Sequence, residues 1–174
     1  MKTLQQQLIQ YAEYHRDKRN ILTHFVGIPL IVLAVAILLS RPLFSVMGLS
    51  LTPALVVVIV ASIYYLKLDR PLGITMAVFL GLCLWLATLI ASQSTATWLS
   101  CGIGMFVVGW IIQFIGHIYE RRKPAFFDDV MGLAIGPLFV AAELAFLLGM
   151  RQRLQAEVEA GAGPTVIKGQ TEAS

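Results

Sequence analysis

Five apolar stretches, each about as long as a helix needs to cross a bilayer, follow one another with only short connections between them. They fall at about 21–39, 51–66, 71–91, 98–119 and 130–150. An α-helix rises 1.5 Å per residue, so about 20 apolar residues span roughly 30 Å of hydrocarbon. Of the 174 residues, 57% are hydrophobic and 13% charged, a balance that excludes an ordinary soluble domain. The expected fold is all-α and integral to a membrane: a single bundle of about five transmembrane helices. Gly136-Pro137 and Glu143 interrupt the last run, so four spans plus a broken or re-entrant fifth element is the alternative.

The connections leave no room for a separate soluble module, so residues 1–150 read as one polytopic domain. Within it, Leu4, Leu8, Tyr11 and His15 recur at spacings of four, three and four. That spacing puts them on one face of an N-terminal interfacial amphipathic helix over residues 1–20, with the bundle at 21–150. Residues 151–174, with AGAGP at 160–164, read as a polar, disordered tail. A cleavable signal peptide is not expected, because some twenty polar and charged residues precede the first apolar run. Cys83 and Cys101 fall inside apolar runs and read as small buried hydrophobes rather than a disulfide. The net charge of +3 is small and local, so no nucleic-acid partner is expected.

The ionisable residues gather at a few helix ends. Lys2, Arg16, Lys18, Arg19, Lys67, Arg70, Arg121, Arg122 and Lys123 fall on one side of the alternating path; Arg41, Arg151, Arg153 and Lys168 fall on the other. Nine against four places the N-terminus in the cytoplasm. Every histidine lies in one of two mixed stretches, YAEYHRDKRNILTHFVGIP at 11–29 and GWIIQFIGHIYERRKPAFFDD at 109–129. The first span leaves the cytoplasmic side just after His15 and His24, and the fourth returns there at His117. All three are therefore expected at one depth.

The faces agree with that placement. Asn20, His24 and Gly27 share one side of the first span, and Gln113, His117 and Glu120 lie near a stripe of Gly102, Gly109 and Gly116 on the fourth. Three imidazoles at one level point to a metal site; imidazole suits iron, zinc, copper or nickel, and spacing alone does not choose among them. Glu120 reads as a fourth ligand, as an acceptor outside the ligand set, or as a partner of Arg121 or Arg122. The run Arg121, Arg122, Lys123 anchors the helix and is also placed to attract a lipid carboxylate. Asp128 and Asp129 are candidates to cap the fifth helix. Glu143 lies about 20 Å further along a continuous fifth helix, too deep for a ligand, and reads as turned into the bundle and protonated or paired.

These two stretches, with the Gly-Pro-containing apolar run that follows the second, resemble the membrane 2-hydroxy fatty acid dioxygenase family over about residues 11–148. The resemblance implies an iron(II) enzyme that takes a 2-hydroxy fatty acid and dioxygen to a fatty acid one carbon shorter, as in phytosphingosine breakdown. His15, His24 and His117 stand at the positions of family histidines associated with iron and activity. Asn20, Gln113, Arg121, Arg122 and Asp128 are the candidates for substrate contact or ligand support. Arg16 stands where some members carry a second histidine, and Glu120 follows His117 by three residues where some have four, so a fourth ligand is left open. A three-histidine site leaves positions free for dioxygen and for the neighbouring hydroxyl and carboxylate of a 2-hydroxy acid.

Two other classes stay open on the residues alone: a zinc-dependent hydrolase of lipid amides, and a non-enzymatic scaffold or transporter whose glycine stripes only pack helices. A mid-membrane b-type haem is disfavoured, because no facing pair of histidines lies there. The expected location is a bacterial inner membrane, or the endoplasmic reticulum in a eukaryote, with the site near the cytoplasmic face; an oligomer is not indicated. Topology reporters inserted at Thr95 and Lys123 should report opposite sides of the membrane, and a common side would remove the reason for placing the histidines together.

Overall fold

The computed structural model describes residues 2–41, 44–46, 49–121 and 131–167. Arg122, Lys123, Asp128, Asp129 and Lys168, each given a role above, lie outside them. In chain order the elements are α1 (Leu4–Ala12), α2 (Lys18–Leu39), β1 (Phe44–Val46), β2 (Leu49–Leu51), α3 (Pro53–Leu68), α4 (Arg70–Ala91), α5 (Thr95–Glu120), α6 (Met131–Leu147) and α7 (Gln152–Ala162). The five apolar runs are α2 to α6, and the chain is a helical membrane protein. By length and composition α2, α4 and α5 each suffice to cross a bilayer, and α6 with α7 makes a fourth if the pair, bent by 118°, is one broken span. The remaining apolar helix, α3, has 16 residues.

Two departures from the sequence reading have simple causes. A small antiparallel hairpin pairs Phe44 with Leu51 and Val46 with Leu49, where only a loop was expected; three-residue strands are too short to show an alternating pattern. Leu51 therefore belongs to β2 rather than to a span, and α3 starts at Pro53 because Thr52 caps it, accepting from the Leu55 amide. The stretch expected to be a disordered tail contains α7. Its Leu154 and Val158 are buried, a pair four residues apart that the polar composition around them conceals.

Contacts cluster in two compact units, Met1–Ile28 with Ile111–Ser174 and Pro29–Trp110, so α2 and α5 each contribute residues to both. In the second unit, Asp69 ends α3 and caps α4, its carboxylate accepting from the Leu72 amide at 3.0 Å. So short a link forces α3 and α4 together. Gly73 makes the approach possible, since a Cβ there would lie 2.6 Å from the Leu66 backbone. A core of Ala36, Ile37, Cys83 and Ala87 packs against Phe79, Trp98 and Cys101, and both cysteines are free. Gly102 of the expected glycine stripe meets Leu38 of α2.

The first unit holds the histidines. Thr3 and Gln6 close a reciprocal capping box at the start of α1, and the predicted apolar face, Leu4, Leu8 and Tyr11, is buried. Its partners are α6 and α7. Gly136 of α6 lies against Tyr11 and Ile28, Gly161 of α7 lies against Ile9, and Gly116 of α5 lies against Thr23 and Asn20. Small residues at these crossings let helix backbones approach, the usual device where hydrocarbon replaces water.

Overpacking a site with backbone on the other side is expected to cost about 1–3 kcal/mol. Gly73→Ala should therefore lower the thermal midpoint in detergent, while Gly81→Ala, where a Cβ meets nothing within 4 Å, should leave it unchanged.

Candidate metal centre

His15 lies in the short link between α1 and α2, His24 lies in the second turn of α2 and His117 lies in the last turn of α5. The structure brings them together. One donor atom from each lies within 4.8 Å of the other two, and all three residues are buried. Three imidazole nitrogens on one metal at about 2.1 Å are mutually at most roughly 3.6 Å apart, so the set would have to draw in by about 1 Å to close on an ion. The rings meet edge to face, with centroids 4.5 Å apart for His15 and His24, 5.0 Å for His15 and His117 and 5.3 Å for His24 and His117.

Backbone carbonyls one turn earlier set the tautomers of two rings. His15 Nδ1 lies 2.7 Å from the Tyr11 carbonyl and His24 Nδ1 lies 2.8 Å from the Asn20 carbonyl. A carbonyl only accepts, so each Nδ1 carries the proton and each Nε2 presents a lone pair. For His15 that Nε2 is buried with no hydrogen-bond partner. Burial, helped by the neighbouring His24 and His117, holds the His15 ring well below the ordinary value of 6.5, hence neutral near pH 7. Tyr11 stacks flat on it, 4.1 Å between centroids and 3° between planes, and Phe139 closes the same side at 5.7 Å. Fixed neutral imidazoles, each with its other nitrogen bonded to a carbonyl, are the form in which histidine ligates metals.

Glu120 is 1% exposed. Its Oε2 accepts from the Asp17 amide at 2.9 Å and from Asn20 Nδ2 at 3.0 Å, and the Asn20 carbonyl in turn receives the His24 proton. Through Asn20 these bonds link the Glu120 carboxylate to the His24 ring. Gln113, one turn before His117, is buried and its Oε1 has no hydrogen-bond partner. Arg121 is exposed just past α5, in left-handed backbone with φ 56°, which ends the helix there.

Glu143 is turned inward and paired, one of the two states expected for it: it lies 3.7 Å from Arg16, next in sequence to His15. The pairing is possible because α1 packs against α6, where Tyr11 lies against both Gly136 and Phe139. The sequence reading gave Arg16 only a place in the charge count and in the family comparison, and left Asp17 without a role. Arg16 Nε donates to the Ala12 and His15 carbonyls, and Asp17 caps α2 through the Arg19 amide. The Asp preceding a helical run was a legible cap signal; nothing in the sequence marks a buried arginine.

Residues 1–148 match the family described as 2-hydroxy-palmitic acid dioxygenase Mpo1-like. The chain is also similar to 2-hydroxy-palmitic acid dioxygenase MPO1 of Saccharomyces cerevisiae, with 37% identity over 158 residues, 90% of this chain and 87% of the yeast protein. No solved structure matches it.

Removing the Glu120 carboxylate strands two buried donors, each worth about 1–3 kcal/mol when left unsatisfied. Glu120→Ala should therefore destabilise the apoprotein by a few kcal/mol, whereas Glu120→Gln, which keeps one acceptor oxygen, should lose clearly less in a detergent melt.

Proposed function

The chain belongs to the Mpo1-like family, and from that premise and the buried histidine cluster we propose that it cleaves a 2-hydroxy fatty acid with dioxygen, giving the fatty acid one carbon shorter, with iron(II) held by His15, His24 and His117. The carrying observation is His15: its ring is neutral, its tautomer is fixed, and its Nε2 is buried among two other imidazoles without a hydrogen-bond partner. A buried acceptor left in that state costs stability unless something is bound there. Iron rather than zinc follows from the reaction, since zinc has no redox chemistry to offer dioxygen. When bound, iron(II) supplies the electron transfer that lets dioxygen react with the acid.

The balance needs no further reductant. R–CH(OH)–COOH and O2 give R–COOH, CO2 and H2O: the acid loses four electrons as the bond between its first two carbons breaks, and dioxygen takes up four. The residues of the chain bind and exclude. Three neutral ligands leave the charge of a divalent metal uncompensated, which favours an anionic, bidentate head such as an adjacent carboxylate and hydroxyl. Gln113, one turn from His117 and buried with an unbonded acceptor oxygen, is our candidate to take a hydrogen bond from that hydroxyl. Burial of all three histidines keeps bulk water from the reacting carbon. The charge bias supports a site near the cytoplasmic face of the membrane.

Protein purified without oxygen should hold one iron per chain, and with 2-hydroxypalmitate it should consume one O2 and release one CO2 for each pentadecanoate formed. Replacing His15, His24 or His117 by Ala should remove most of the iron and nearly all turnover while the protein stays in the membrane. Parental turnover in two of the three variants would overturn the ligand set. Amide hydrolysis with zinc and no oxygen uptake would indicate a hydrolase instead.

A further inference from the structure

Two of the three histidines ride on helices, but His15 does not. It stands in the link between Ala12, the last residue of α1, and Lys18, the first of α2. A ligand on such a link has only the link's own contacts to keep it in place, so the contacts of residues 15–18 matter more than their number suggests. On one side is Glu120, through the Asp17 amide. On the other is a part of the chain remote in sequence. The Val166 amide donates to the Arg16 carbonyl at 2.9 Å, the Lys18 amide donates to the Val166 carbonyl at 2.8 Å, and Arg16 Nη1 donates to the Gly163 carbonyl at 2.8 Å.

We propose that segment 163–166 is a strap that positions His15 for metal binding, with the Arg16 side chain as its joint. This rests on the reading of the three histidines as ligands. The bonds of Arg16 suit it to that role. Its Nε bonds the Ala12 and His15 carbonyls at 2.9 and 3.0 Å, Nη1 reaches the strap, and Nη2 faces Glu143 at 3.7 Å. One buried guanidinium thus connects the end of α1, the peptide of the ligand itself, α6 and the strap. The strap is in turn located by α7, whose Leu154 and Val158 are buried and whose Gly161 packs on Ile9 of α1. A further tie joins Gln5 of α1 to Glu157. The strap and α7 lie beyond the residues 1–148 that match the family.

A lysine in place of Arg16 keeps the charge opposite Glu143 but cannot make the planar, multiply bonded contact. Arg16 and the strap therefore act as positioning elements and need not touch the substrate. Outer partners of metal ligands typically contribute tenfold to a hundredfold in metal affinity.

The test uses the full chain in detergent with cobalt(II) as the probe, reading its dissociation constant and visible spectrum, with amide exchange at residues 15–18 of the metal-free protein. Val166→Pro removes the N–H that bonds the Arg16 carbonyl, and Val166→Ala controls for the side chain. Val166→Pro and Arg16→Lys should each weaken cobalt binding about tenfold or more, change its spectrum and speed exchange at the link, with helix content unchanged; Val166→Ala should behave as the parent. Parental affinity and spectrum in both Val166→Pro and Arg16→Lys would overturn the strap. If the parent itself binds no cobalt, the ligand reading fails first and takes the strap with it, and that outcome is separable because it needs no variant. If one variant does not fold, the other decides.

Discussion

One carboxylate oxygen joins the parts of the first unit that carry the site. Glu120, in the last turn of α5, receives the Asp17 amide and the Asn20 side chain, so a single residue sets where α2 begins and how its first turn faces. A buried carboxylate is costly unless hydrogen bonds answer its charge, and a buried amide donor is costly unless something accepts from it. Each need is met by the other, which is why α5 and the link before α2 have one favourable relation rather than several. His117 sits one turn before Glu120 and His24 one turn after Asn20. Satisfying the carboxylate therefore also brings two imidazoles together, edge to face. Gly116 completes the device, because a side chain there would collide with Thr23 and Asn20 and hold the helices apart.

Among the described residues the carboxylates nearest the histidines are already engaged, Asp17 with Arg19, Glu120 with two donors and Glu143 with Arg16. What gathers at the centre is imidazole nitrogen. On the proposed reading this division has a chemical consequence. A site built with a carboxylate ligand would partly cancel the metal's charge before substrate arrived, whereas three imidazoles leave it for the substrate's own carboxylate to cancel. Selectivity for an acid over an alcohol or ester then resides in the ligand set itself.

The membrane character and the meeting of the histidines were legible because each depends on a long-range regularity: twenty-residue apolar runs, and topological alternation that returns the chain to one side. Asn20, Gln113 and Glu120 were legible by helical phase, since 100° per residue puts them on the faces of His24 and His117. That Glu143 is paired was legible from an ionisable residue inside an apolar run, but its partner Arg16 was not, because an ion pair between residues so distant in sequence leaves no periodic trace. The tail misled for a different reason. Two buried residues, Leu154 and Val158, suffice to dock α7, and two apolar residues in a polar stretch do not stand out in composition.

The same helical phase that turns Asn20, His24, Gln113 and His117 inward turns Leu22, Val26, Phe114, Ile115 and Ile118 outward, and all five of these are exposed. In water such faces would drive association; against hydrocarbon they are the ordinary surface of a span. Each of the two helices therefore separates lipid from imidazole across its own width, about 10 Å. An amphiphile lying in the bilayer needs to move its head only that far to pass from lipid to the polar stripe, while its chain stays among apolar side chains. A soluble enzyme would have to extract the whole chain from the membrane first, at about 0.8 kcal/mol for each methylene exposed. On the proposed reading, placing buried imidazoles at the inner edge of membrane helices avoids that cost, which is a physical reason for a reaction on the head of a fatty acid to be housed in a protein that is itself mostly hydrocarbon-facing.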